Sequence, residues 1–169
     1  GGRYPRVRPT AVTRLYRDVP YLARYAPTRT VPLPRAYLIR TADPVITDKL
    51  REHGIVVERL AANARLEVEA FSVTGLKGAS YPDQGHYTST VEGGYATREI
   101  DFPAGTGYVS TAQPLGMLAA QLLEAESPDG LVTWNFADRH IAFQWIPQPM
   151  EYPVYKLYGQ ARVATRPSP

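Results

Sequence analysis

Gly105-Thr106-Gly107, followed by hydroxyl residues and an apolar run with helical spacing, has the outline of a loop built to hold a phosphate. A Walker-type loop places a lysine and a hydroxyl residue after its last glycine, because backbone amides cradle the phosphates while the lysine neutralises them. Here Tyr108-Val109-Ser110 follow, and no lysine does. The three-glycine dinucleotide fingerprint fails on spacing as well. The glycines precede the expected helix by about seven residues, too early to aim its N-terminal amides at an anion. The stretch reads as a turn into a short strand.

Other chemistry-bearing types are equally scattered. His53, His86 and His140 form neither an HExxH nor an HxxE pair. His53 falls at a helix end just before Gly54, where it meets the C-terminal dipole favourably. A metal site assembled from His86 and His140 with Asp83 or Asp138 has no spacing signature behind it. Glu67 and Glu69 share one strand face and read as its solvated side, as do Glu99 and Asp101. Glu124 and Glu126 close a helix, where the dipole disfavours negative charge. That conflict marks a carboxylate with some other task, such as an arginine pair or a backbone hydrogen bond. No serine stands in a GxSxG elbow or an SxxK pair. These residues give no catalytic, cofactor-binding or metal-binding assignment.

The last candidate is a basic arm. Residues 1–40 hold nine arginines and one acid, Asp18, a balance of +8, while the remainder carries ten basic and fifteen acidic residues. The net +3 and pI near 9.2 therefore belong to one arm. Arg3-Tyr4, Tyr16-Arg17 and Arg24-Tyr25 interleave cations with rings. That pattern suits single-stranded nucleic acid, through phosphate pairing and stacking. It equally suits an acidic neighbouring domain, or a merely solvated segment.

The elements that would position these residues begin late. Prolines at 5, 9, 20, 27, 32 and 34 make residues 1–35 an extended connecting segment, with strand pieces expected at Val12–Tyr16 and Arg29–Val31. Residues 36–169 form a single expected domain. Ala36–Arg40 is a strand, and Asp43-Pro44 opens a helix with Val45, Ile46 and Leu50 on one face and Gly54 as its stop. Ile55–Leu60 follows as a strand parallel to the first, a βαβ unit. Leu66–Val73 alternates as a one-faced strand. Gly75–Gln84 reads as a loop, His86–Val91 and Tyr95–Phe102 as a hairpin turning at Gly93-Gly94, and Gly107–Thr111 as a short strand. Pro114–Glu124 is a helix with a Leu115, Leu118, Leu122 and Leu123 stripe. Leu131–Phe136 is a strand or a packed loop, and a Pro- and Tyr-rich tail runs from Pro147. The class is α+β: a mixed sheet, with a βαβ unit followed by antiparallel strands, and two main helices.

Composition agrees with a soluble globular protein, 44% hydrophobic and 21% charged. The absence of cysteine excludes disulfides, thiolate metal sites and a cysteine nucleophile. No run approaches the roughly 18 apolar residues of a membrane-spanning helix, so no membrane partner is expected. Gly1-Gly2-Arg3 carries neither an initiator methionine nor a signal core and reads as a cut end.

The order of landmarks from Pro34 to Phe136 is itself informative. "LPRAYLIR", "LREHGIVVERL", "EVEAFSV" and "IDFPAGTGYVSTAQPLGMLAAQLLEAESPDGLVTWNF", with a later "YPVYKL" at Tyr152–Leu157, resemble the region downstream of the catalytic domain in bacterial carboxypeptidase A-like zinc metallopeptidases. Ala125 stands where that family usually has proline, and Gly130 where it has serine. The resemblance implies a non-catalytic C-terminal accessory domain. Its parent would hydrolyse peptides with a zinc held by a His-x-x-Glu pair and a distant histidine, a catalytic glutamate and a substrate-gripping arginine. None of the pair motif is present, so no ligand carries over. The implied partner is an upstream catalytic domain, and the implied location is secreted or periplasmic. The competing expectation is a stand-alone binding module that recognises nucleic acid or another polyanion through the arm.

Overall fold

The computed structural model describes residues 8, 10–27, 29–142, 150–161 and 163–168. The chain divides into two compact units, Gly1–Val31 and Pro32–Pro169. In the first, no described residue is in a strand or helix, so the strand pieces expected at Val12–Tyr16 and Arg29–Val31 are not formed. Repeated prolines remove amide donors and fix φ, which leaves no ladder to build.

In the second unit the elements run β1 (Ala36–Ile39), α1 (Val45–Glu52), β2 (Glu58–Leu60), β3 (Ala64–Gly78), β4 (Ser89–Phe102), β5 (Gly107–Ser110), α2 (Gly116–Leu123), α3 (Asp138–Ile141), β6 (Met150–Leu157) and β7 (Thr165–Pro167). The strands make one sheet in the order β4-β3-β6-β1-β5-β2-β7. The α+β class stands, and every ladder is antiparallel rather than mixed. β1 and β2 both run antiparallel to β5. They are therefore parallel to each other, as a βαβ unit requires, but β5 lies between them. Local periodicity sets a strand's direction relative to its helix; it carries no information on which later strand inserts.

α1 forms where its start and stop signals are. The Asp43 carboxylate accepts the Val45 amide at 3.1 Å, Pro44 precedes the first turn, and Gly54 ends the helix at φ +78°. Ile46 and Leu50 are completely buried, each contributing about 1.5–3 kcal/mol. α2 buries Leu122 and Leu123 with Ala119 and Ala120. Leu131–Phe136 is the packed loop of the two alternatives, closed by Leu131 N–H donating to Leu122 O at 2.9 Å.

The expected turn at Gly93-Gly94 is wrong. Both glycines lie inside β4, opposite Val73 and Ser72, where β3 bulges before Gly75. A Cβ on Gly93 would stand 2.1 Å from the Ser72 carbonyl oxygen and 2.8 Å from the Phe71 ring. Close approach of two strands requires this glycine. The hairpin turns instead between Gly78 and Ser89, closed by an Asp83–His86 bridge, so Gly75–Gly78 of the expected Gly75–Gln84 loop is strand.

β6 is a central strand in the tail expected only to be Pro- and Tyr-rich. Pro153 is accommodated because it lies opposite Arg40, one residue past the end of β1: its carbonyl accepts the Arg40 amide at 2.9 Å, and its missing amide falls where that ladder stops. β1, β3 and β6 alternate side chains between two apolar clusters. Tyr37, Ile39, Phe71, Val73, Tyr152 and Val154 meet the helices. Leu38, Leu66, Val68, Ala70, Tyr155 and Leu157 pack with Leu60 and Phe102 on the opposite face. Leu60 on β2 and Leu66 on β3 belong to this one cluster although β6, β1 and β5 stand between their strands, so the sheet coils around it.

Candidate functional site

Among the described residues, ionisable groups gather around Lys156 on β6. It faces Tyr37 of β1 on one side and Glu69 of β3 on the other. Its side chain is 3% exposed. Nζ lies 3.3 Å from Glu124 Oε2 and 3.4 Å from Glu69 Oε2, and 3.4 Å over the centroid of the Tyr95 ring. Glu124 is the first residue past α2. The Tyr37 hydroxyl donates to its Oε1 at 2.7 Å, and the Tyr95 hydroxyl to its Oε2 at 3.0 Å. Ala125 N–H donates to the Tyr95 oxygen at 3.3 Å.

One ammonium and two carboxylates leave this cluster one negative charge in excess, and the phenol donors offset it. Burial first, and the nearby Glu124 charge second, push the Tyr37 and Tyr95 phenols well above the ordinary range. Tyr152, whose hydroxyl has no hydrogen-bond partner, is raised for the same reasons. Tyr158 is pushed up to about 12, by burial and then by Glu69 and Glu124. These phenols stay protonated and donate. A general base or nucleophile must reach a substrate proton or carbon, and the Lys156 amine is walled off by its own partners. The arrangement fastens the α2 C-terminus to the sheet.

Glu124 is thus the helix-ending carboxylate with another task, and the task is a lysine and two tyrosines rather than an arginine. Glu69 does not lie on a solvated face: it is half-buried against Lys156, whereas Glu67 is exposed. Lys156 itself was the residue hardest to see. Its signal is phase, because in Tyr152–Leu157 a lysine occupies the strand face of Tyr152 and Val154.

The other sequence candidates stay apart. His53 Nδ1 lies 2.8 Å from Lys49 O at the α1 terminus. His86 Nε2 lies 2.6 Å from Asn135 Oδ1, with its ring 5.6 Å from that of Trp134. Asn135 donates to Ser89 at 2.7 Å and to Asp138 at 2.8 Å, so this group clamps the β3–β4 turn onto the 131–137 loop. His140 Nε2 is 3.5 Å from Asp43; burial lowers its pKa, while Asp43 opposes the shift. Among the described residues no group of three His, Cys, Asp or Glu is placed to hold a metal ion. In the glycine loop the Gly105 amide donates to Leu60 O and the Thr106 amide to Pro103 O, so these donors complete a turn and β5 follows. Among the described residues no helix is long and apolar enough to cross a membrane.

The chain is related in sequence to fungal carboxypeptidases. It is 31% identical over 124 residues to carboxypeptidase 2 of Trichophyton equinum, a match covering 73% of this chain and 22% of that protein. For carboxypeptidase 2 of Trichophyton rubrum the identity is 32% over 123 residues, covering 70% and 23%. For that of Trichophyton tonsurans it is 35% over 102 residues, covering 60% and 19%. The chain therefore spans about a fifth of the length of the curated relatives it matches. No protein-family model and no solved structure matches it.

Proposed function

We propose that this chain is a non-catalytic accessory domain of a zinc metallocarboxypeptidase-like polypeptide, packed against a catalytic domain that lies upstream of it. The parent would hydrolyse peptides from their C-termini and act as a secreted or periplasmic protein. The observation that carries the reading is the match itself: 31–35% identity to carboxypeptidases, confined to about a fifth of their length. A region of that size, with its own two-faced core, is a separate folding unit alongside a larger one. The chemistry of its donors points the same way. Zinc is bound by three or four convergent His, Cys or carboxylate groups, whereas His53, His86 and His140 each contact a different element. These residues do not fit the metal, and no step of a zinc reaction is derived from them.

The test compares the 169-residue chain with the full product of its gene. Hydrolysis of a peptide with a free C-terminus, and bound zinc, are measured for both. The reading expects activity and zinc in the full product and neither in the chain. Stoichiometric zinc on the chain, or a full product without peptidase activity, would sink it.

A further inference from the structure

We infer that the groove between α1 and α2, floored by Trp134 and Phe136, is the surface on which that catalytic domain docks, inserting an apolar side chain. This rests on the accessory-domain reading above and deepens it by locating the partner surface.

The groove has a volume of about 330 Å³, the small end of ligand-sized clefts and room for one or two side chains. Leu118 and Leu122 of α2 and Leu131 of the following loop wall it. The Trp134 indole N–H donates to Asp129, and His86 packs against its ring, so the aromatic floor is fixed before any partner arrives. Lys49 stands on the rim, with Nζ 4.7 Å over the Phe136 ring. Its ammonium pairs with Glu52 and the Asp129 carboxylate lines the same groove, so the rim carries both signs of charge and the apolar floor is what a partner would read.

The surroundings are apolar where a free surface would be polar. Met117 is 71% exposed and Val56 60%; Met117 lies one turn before Gln121 of the groove, on the same helical face. Tyr81 and Tyr87 are 74% and 58% exposed, in the β3–β4 turn that His86 ties to Trp134. A preformed aromatic pocket with an exposed methionine on the helix that walls it is the anatomy of an interface hot spot. The occupant is indicated by length: the matched relatives carry about four fifths of their sequence outside this region, so a large tethered partner accompanies it.

Amide hydrogen exchange in Gly116–Leu123 and residues 129–136 tests the assignment, comparing the 169-residue chain with the full polypeptide. Exchange there should slow roughly tenfold or more in the full polypeptide. Met117→Asp, at a side chain that is 71% exposed, should restore the faster exchange, while leaving the melting behaviour of the 169-residue chain unchanged. Protection elsewhere on this unit, with the groove unaffected, overturns the inference and leaves the accessory-domain reading standing. Groove protection that grows with concentration of the 169-residue chain alone assigns the surface to a second copy and likewise overturns it. No protection anywhere removes domain packing and the inference together.

Discussion

At Lys156 a cation and several tyrosines are enclosed between β1, β3, β6 and the end of α2; between Arg8 and Val31 the same residue types stand in solvent. Tyr16, Tyr21 and Tyr25 are 67%, 92% and 96% exposed, and Arg14 sits 5.2 Å over the Tyr16 ring without other enclosure. The residues match; the dielectric does not. Taking an ammonium out of water costs several kcal/mol, which only well-placed partners offset. Once they are in place, removing any one exposes the full desolvation cost of the others. In solvent a cation over a ring gains only about 0.5–1 kcal/mol and loses little when broken. Composition therefore identifies which groups are available, and burial decides whether they constrain anything.

The strongest way to test this contrast is Lys156→Met. Two carboxylates would then share a buried site without their cation, and urea unfolding should show a loss of about 3–5 kcal/mol. A loss below 1 kcal/mol would mean that the cluster is effectively solvated. Gly93→Ala provides an uncharged comparison in the same sheet. Its methyl group meets backbone rather than a flexible side chain, so about 2–3 kcal/mol should be lost, with disturbed β3–β4 pairing visible in amide chemical shifts. Tyr37→Phe removes one donor to Glu124 and should cost about 1.5–2 kcal/mol, the far-ultraviolet spectrum staying unchanged.

Alkaline pH probes the same cluster without mutation. The folded protein holds Tyr37, Tyr95, Tyr152 and Tyr158 protonated, while an unfolded phenol releases its proton near pH 10. The unfolded state therefore gains above that pH. Stability should be intact below about pH 10 and decline as pH rises toward about 12, the value for Tyr158. Denaturant midpoints that stay flat from neutral pH through this window would contradict the burial argument.

The smallest effect is expected at the arm, where Arg14→Ala or Tyr16→Ala should change stability by no more than about 0.5 kcal/mol. Binding of a generic oligonucleotide, measured by anisotropy at about 50 mM salt, should be absent, because phosphate contacts would be strongest there. Tight, salt-sensitive binding would instead assign the arm to polyanions and give it a role of its own.

Much of this architecture is legible residue by residue. Asp43, Pro44 and Gly54 bound α1 because caps and positive φ act over one turn of chain, and the Leu66–Ala70 alternation identifies a strand face for the same local reason. Gly93-Gly94 reads locally as a turn because a glycine pair serves equally for reversal and for close approach. Only the carbonyl of Ser72, some twenty residues earlier in the chain, distinguishes the two. Glu124 was visible as a conflict with the helix dipole, but its partners were not, since Tyr37 and Lys156 lie far from it in sequence.

The sequence alone thus determined the α+β class, the two main helices, most of the strands, the uneven charge and the similarity to carboxypeptidases. All of these depend on neighbours within a few residues or on linear order. The tertiary structure decided that β5 separates β1 from β2, that β6 with its proline runs through the centre of the sheet, and that Lys156 meets Glu69 and Glu124. It also decided that α1, α2 and Trp134 leave a groove between them. Each of these is a pairing between distant segments, selected by burial and hydrogen-bond satisfaction over the whole domain, and no local pattern encodes it.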